Sequence, residues 1–190
     1  MRIITGKAKG TVLKTPQGEV TRPTAERVKE AVFSMLQFDI EGRCVLDLFA
    51  GSGQMGLEAL SRGAVSATFV DKSKDAIKLI KENLEKSKLA DSGKVFQSDY
   101  LEFIRRSGNQ KYDIIILDPP YTLKMYAPAL KALLNANMIK PTTLIVCESA
   151  TDEIFNGDCN LQGKFEVAKQ SKYGITYITV LKLSNGDENI

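Results

Sequence analysis

Residues 44–56 read Cys44-Val45-Leu46-Asp47-Leu48-Phe49-Ala50-Gly51-Ser52-Gly53-Gln54-Met55-Gly56. An apolar run ends on an acid, and three glycines follow at GxGxxG spacing. The pattern describes a strand entering a tight loop that opens a helix, where small residues admit a ligand to the backbone and let the helix pack closely. Alone it is equally a simple turn, so its surroundings decide. Further strands are predicted at 67–70, 94–97, 112–117, 143–147, 165–169 and 175–183. Helical stretches separate the first five, clearest over 74–88, where Ser73 can cap and Ala76, Ile77, Ile80 and Leu84 form the buried stripe. This alternation implies an α/β, Rossmann-like fold with a mostly parallel, doubly covered sheet. The last two strands, joined by a short turn around Ser171-Lys172-Tyr173-Gly174, are expected to pair antiparallel at its edge, giving seven strands with an antiparallel last strand.

Ahead of this pattern, Arg2–Thr5 and Thr11–Lys14 flank Gly6-Lys7-Ala8-Lys9-Gly10, which predicts a β-hairpin with a basic tip. Turn signals at Pro16, Gly18 and Pro23 precede a helix over about 24–37, with Val28, Ala31, Val32, Met35 and Leu36 on its apolar face and Thr24 placed to cap. Residues 1–31 hold seven basic side chains (Arg2, Lys7, Lys9, Lys14, Arg22, Arg27, Lys29) against three acidic ones (Glu19, Glu26, Glu30), although the whole chain is only +3. Such a segment is either a phosphate-binding surface or a solvated charged face. The expected organisation is an appendage over 1–40, one catalytic domain over 41–183 and a flexible, acidic tail over 184–190, within the size range of one domain.

With 43% hydrophobic and 26% charged residues, the 190-residue chain has the composition of a soluble globular protein. No apolar run approaches the roughly 20 residues of a membrane span, nor does the amino terminus resemble a signal peptide, so a cytoplasmic monomer is expected. The absence of histidine excludes histidine-based triads and imidazole–metal sites. Cys44, Cys147 and Cys159 form no Cys-x-x-Cys pair and read as reduced thiols rather than metal ligands. Chemistry must therefore come from carboxylates, backbone groups, aromatics and a cofactor.

Asp71 ends the second strand, 20 residues after Gly51, where a carboxylate can accept from both ribose hydroxyls of an adenosine. Both NAD and S-adenosylmethionine carry that ribose. Asp47 separates them, because a carboxylate beside the glycines would repel a pyrophosphate but favours a sulfonium and an ammonium. Asp99, within Gln97-Ser98-Asp99-Tyr100, ends the third strand and either receives the adenine amino group or caps a helix. The expected cofactor site is thus Asp47, Phe49, Ala50, Gly51, Ser52, Gly53, Asp71, Lys72, Asp99 and Tyr100.

Asp118-Pro119-Pro120-Tyr121 follows the apolar run Ile114-Ile115-Ile116-Leu117, at the same sheet edge as the glycine loop. The lone pair of an exocyclic amino group is delocalised into its base, so the nitrogen must become more tetrahedral before it attacks a methyl group. The Asp118 carboxylate and the Pro119 carbonyl can accept its two N–H bonds, while the tandem prolines fix the loop and Tyr121 offers a stacking face to a flipped-out base. No cysteine lies in this loop, which argues against methylation at a pyrimidine carbon.

These residues resemble the amino-methyltransferases of nucleic acids, and the chain as a whole resembles the RsmD family. The likeness runs from Arg2-Ile3-Ile4-Thr5-Gly6-Lys7-Ala8-Lys9-Gly10 and Thr21-Arg22-Pro23-Thr24 through Asp47–Gly53, Gly56–Ala64 and Asp118–Tyr121 to Tyr173-Gly174. The resemblance implies a class I methyltransferase fold and transfer of a methyl group from S-adenosylmethionine to the 2-amino group of a guanine in 16S ribosomal RNA, in a small-subunit particle. It also implies that Asp118, Pro119, Pro120 and Tyr121 hold the base and that Arg22 and Thr24 lie near the active-site mouth, while the basic opening segment adds Lys7, Lys9 and Arg27 as candidate contacts to RNA. Gln54-Met55 departs from the small and aliphatic residues expected after the second glycine, and few basic residues follow Tyr121. The alternatives are an amino-methyltransferase of another RNA or of adenine in DNA, and a non-catalytic RNA-binding module.

Overall fold

The computed structural model describes residues 1–16, 23–120 and 124–184, the side chains of 23–25 excepted. Arg22, Tyr121 and nearly all of the predicted tail therefore lie outside the described residues. The described strands are β1 (Cys44–Asp47), β2 (Ser66–Asp71), β3 (Gly93–Gln97), β4 (Tyr112–Leu117), β5 (Ile139–Ser149), β6 (Phe165–Tyr173) and β7 (Thr176–Leu183). They form one seven-stranded sheet in the order β3-β2-β1-β4-β5-β7-β6. Strands β1 to β5 are parallel, while β7 is antiparallel to both β5 and β6. The predicted class and strand sequence hold, and the hairpin enters the sheet with β7 inside and β6 at the edge.

The helices are α1 (Pro23–Met35), α2 (Gln54–Ser61), α3 (Lys74–Lys86), α4 (Tyr100–Arg106), α5 (Tyr126–Asn135) and α6 (Cys159–Gln162). Alternate strand residues feed two separate cores. Ile114 and Ile116 of β4 join Phe33 of α1, Leu57 of α2 and Ile80 of α3 on one face. Ile115 and Leu117 join Phe103 of α4, Leu130 of α5 and Leu161 of α6 on the other. Covering both faces is why β4 is apolar at successive positions rather than alternating. The order in which strands are added switches sides at β1, with β2 and β3 on one side and β4 and β5 on the other, and such a switch point opens a crevice beyond the carboxyl ends of the strands.

Two expectations about the amino-terminal segment need correction. The predicted hairpin is shortened to a single antiparallel bridge, Arg2 to Val12, across which the Ile3 and Leu13 amides donate to the Thr11 and Met1 carbonyls (3.0 and 2.9 Å). Four of its amides go to α2 instead: those of Ile4 and Thr5 donate to the Glu58 carboxylate (2.7 and 3.0 Å), and those of Lys7 and Ala8 to the Ser61 carbonyl and hydroxyl (2.8 and 3.0 Å). Gly6 is obligatory there, with φ +88° and an added Cβ only 1.8 Å from the Ser61 carbonyl oxygen. Thr24 stands inside α1 rather than at its cap, because Pro23, with its φ preset, takes the first helical position.

Lys29, counted above with the basic surface, is internal. It is 1% exposed, donates to the Arg2 carbonyl (2.6 Å) and lies 3.7 Å from fully buried Glu58, which also pairs with Arg62 (2.8 Å). Burial pulls the Lys29 ammonium below its ordinary value, against the opposing pull of Glu58. Losing one partner of such a pair typically costs about 3–5 kcal/mol, so this hub ties the amino-terminal arm to α1 and α2.

Candidate active site

Four strands deliver their carboxyl ends to one cavity of about 500 Å³, lined by Asp47, Leu48, Phe49, Ala50, Gly51, Ser52, Gln54, Met55, Asp71, Lys72, Ser98, Asp99, Tyr100, Asp118, Pro119, Pro120 and Met125. All but one of the predicted cofactor residues are among them. The exception, Gly53, is buried and packs instead against Ile80 and Leu57.

The glycine loop takes its shape from left-handed backbone at Gly51 (φ +53°) and Gly53 (φ +79°), a region costly for side-chain-bearing residues. The Gly51 amide donates to Asp71 Oδ2 (2.9 Å) and the Gly53 amide to the Ala50 carbonyl (2.7 Å), closing the turn. Gly56 serves packing, since a Cβ there would sit 2.3 Å from the Phe69 ring of β2. Its amide also donates to Asp47 Oδ2 (3.1 Å). Asp47 is 2% exposed, and burial, with a smaller contribution from nearby Asp71, pushes its carboxyl up to about 7 despite that hydrogen bond.

Asp71 Oδ1 accepts from the Ser73 amide (2.8 Å), so each of its oxygens holds one backbone donor and keeps a lone pair for a ribose hydroxyl. Asp99 serves the structural role foreseen as its alternative: Oδ1 caps α4 through the Leu101 amide (2.9 Å), while the residue still borders the cavity. Phe49 and Tyr100 form an aromatic wall, with ring centroids 5.0 Å apart. Across the cavity, burial, followed by the charges of Glu148 and Asp47, raises half-buried Asp118 well above the ordinary carboxylate range. Pro119 is buried and Pro120 exposed.

Sequence reasoning missed two contributors. Glu148 follows the apolar run of β5 as Asp118 follows that of β4, and this shared strand-end position was the available signal. Gln54, noted only as a departure, has a buried Oε1 with no hydrogen-bond partner among the described residues. Carboxylates held above their ordinary range and an unsatisfied acceptor make a cavity suited to a cationic ligand with N–H donors and unsuited to a diphosphate. S-adenosylmethionine meets that description. Among the described residues, no group of three or more Cys, Asp or Glu could hold a metal ion, and no helix is long and apolar enough to cross a membrane.

Of the residues expected to face RNA, Lys7, Lys9 and Arg27 do not line the cavity, and Arg22 and the Thr24 side chain lie outside what is described. Lys7 and Lys9 are exposed on the loop docked at the carboxyl end of α2, remote from the glycine loop, and Arg27 is exposed on α1.

A family model described as conserved hypothetical protein 95 matches residues 1–182. The chain belongs to that family, the RsmD family. Among its relatives, the ribosomal RNA small subunit methyltransferase D of Haemophilus influenzae is 37% identical over 155 residues, covering 80% of each chain. The protein of the same name from Escherichia coli K12 is 34% identical over 157 residues, covering 83% of this chain and 77% of its own. The solved structure of the Escherichia coli yhhF protein superposes on this RsmD-family chain with a TM-score of 0.85 at 29% identity, over 97% of this chain and 98% of that one. A chain solved with SAH shares the fold, with a TM-score of 0.68 at 19% identity, over 84% of this chain and 49% of that one. This RsmD-family protein is an S-adenosylmethionine-dependent methyltransferase.

Proposed function

We propose that the protein methylates the 2-amino group of a guanine in small-subunit ribosomal RNA, within a small-subunit particle in the cytoplasm. The observation that carries this reading is that Asp118-Pro119-Pro120 and the Asp47–Gly51–Asp71 cluster border the same cavity. The names of its relatives support ribosomal RNA as the substrate.

When bound, S-adenosylmethionine supplies a methyl group on a cationic sulfur. Asp47 and Gln54 Oε1 offer acceptors and negative charge to the amino-acid end of such a ligand, and Asp71 offers lone pairs to its ribose. The Asp118 carboxylate and the Pro119 carbonyl accept the two N–H bonds of the target nitrogen, favouring the tetrahedral form that can attack. The product nitrogen must shed a proton, and Asp118, held above the ordinary carboxylate range, is suited to take it up. Tyr121 is proposed as the stacking face by its place in the sequence, and Lys7, Lys9, Arg22, Thr24 and Arg27 as contacts to RNA. The two lysines lie beyond α2, about 12 Å long at 1.5 Å per residue, a span that a folded RNA covers readily.

The test is to incubate the protein with labelled S-adenosylmethionine and small-subunit particles from a strain lacking it, then map the modified base. Label on a guanine N2 is the expected result. Label on another base or atom would overturn the guanine assignment.

A further inference from the structure

Asn83 lies on α3, outside every motif discussed above, and is fully buried. Its amide makes three hydrogen bonds to two segments distant in sequence. Oδ1 accepts from the Lys14 amide (2.8 Å), and Nδ2 donates to the Lys14 carbonyl (3.0 Å) and to the Ser52 carbonyl (2.9 Å). Lys14 ends the arm that Glu58 and Ser61 hold against α2. Ser52 lines the cavity between the two left-handed glycines.

The Ser52 carbonyl needs an outside partner. The Ser52 carbonyl shares one peptide plane with the Gly53 amide, which the Ala50 carbonyl holds on its N–H side only, and glycines on both sides of Ser52 leave that plane little other resistance to tilting. Asn83 anchors the carbonyl side of that plane, and the same Nδ2 group is shared with the arm. An amide confined by Lys14 on two of its atoms is oriented for Ser52, whereas one released by the arm is free to turn away. Both donors of Nδ2 are used, so neither carbonyl can be lost without leaving a buried group unsatisfied.

We propose that Asn83 is a positioning residue through which the amino-terminal arm sets the shape, and hence the affinity, of the cofactor loop. This rests on reading the cavity as the cofactor site. Affinity coupling is reciprocal, so a substrate that grips the arm would tighten the cofactor loop by the same factor by which bound cofactor tightens the grip.

The test measures S-adenosylmethionine affinity by calorimetry on full-length variants, well below their melting transitions. Asn83→Leu should raise Kd by roughly 10-fold or more. Lys14→Pro, which removes the amide that Oδ1 accepts, should raise Kd by roughly 3- to 10-fold alone and add nothing in the Asn83→Leu background. Leu84→Ala, a buried neighbour on α3 that touches neither segment through hydrogen bonds, should lower Tm and leave Kd at the parental value. Parental affinity in folded Asn83→Leu, an equal loss in Leu84→Ala, or additive effects of Lys14→Pro and Asn83→Leu would each overturn the proposal. Failure of the parent itself to bind S-adenosylmethionine would instead overturn the reading of the cavity.

Discussion

Replacing Asp47 with asparagine removes a buried charge while keeping a side-chain oxygen for the Gly56 amide. In the ligand-free protein the Asp47 carboxyl titrates near about 7, against an ordinary value of 3.8. Between those values the folded state holds a proton that the unfolded chain has released, so Asp47 makes stability fall as pH rises from about 4 to about 7 and adds no further dependence above that. At 1.36 kcal/mol per pH unit, the window amounts to about 4 kcal/mol at most. Urea denaturation of parent and Asp47→Asn between about pH 4.5 and pH 8 should therefore show the variant gaining relative stability with pH and levelling off near pH 7. Cofactor binding should reverse the preference. A cationic ligand favours ionised Asp47, so binding below pH 7 should release a proton, visible as a buffer-dependent heat, and parental affinity should climb towards pH 7. Asp47→Asn should bind S-adenosylmethionine roughly 10- to 100-fold more weakly at pH 8, without that climb. A stability difference that stays constant across the window would refute the reasoning, because Asp47 would then titrate as an exposed carboxylate.

Asp118→Ala should lower single-turnover methyl transfer by about 100- to 1,000-fold while S-adenosylmethionine still binds, since its carboxylate acts on the nitrogen as it becomes tetrahedral; parental turnover in folded variant would remove this loop from the chemistry. Lys7→Glu combined with Lys9→Glu should weaken RNA binding and reduce the log–log salt slope by roughly 0.7 to 0.9 per lost phosphate contact, leaving cofactor affinity unchanged; an unaltered slope would make that loop a structural flap only. Gly56→Ala should destabilise the fold by about 1–3 kcal/mol, because its new methyl would meet the Phe69 ring at 2.3 Å, and an unchanged denaturation midpoint would show that α2 can shift away from β2 at little cost.

The sequence determined what depends on local order along the chain. Alternating apolar strands and amphipathic helices specified a doubly covered parallel sheet, and the short turn at Tyr173-Gly174 specified an antiparallel closing pair. Because ligand sites in such sheets collect at strand ends, Asp47, Asp71, Asp99 and Asp118 could be assigned to one edge from position alone. Only the tertiary structure decided how side chains far apart in sequence use one another. It showed that the amino-terminal segment gives the amides of Ile4, Thr5, Lys7 and Ala8 to Glu58 and Ser61, that Lys29 is internal, that Glu148 bears on Asp118, and that Asn83 joins residue 14 to residue 52. A buried donor or acceptor must find a partner wherever the fold brings one, and that choice leaves no periodicity in the sequence.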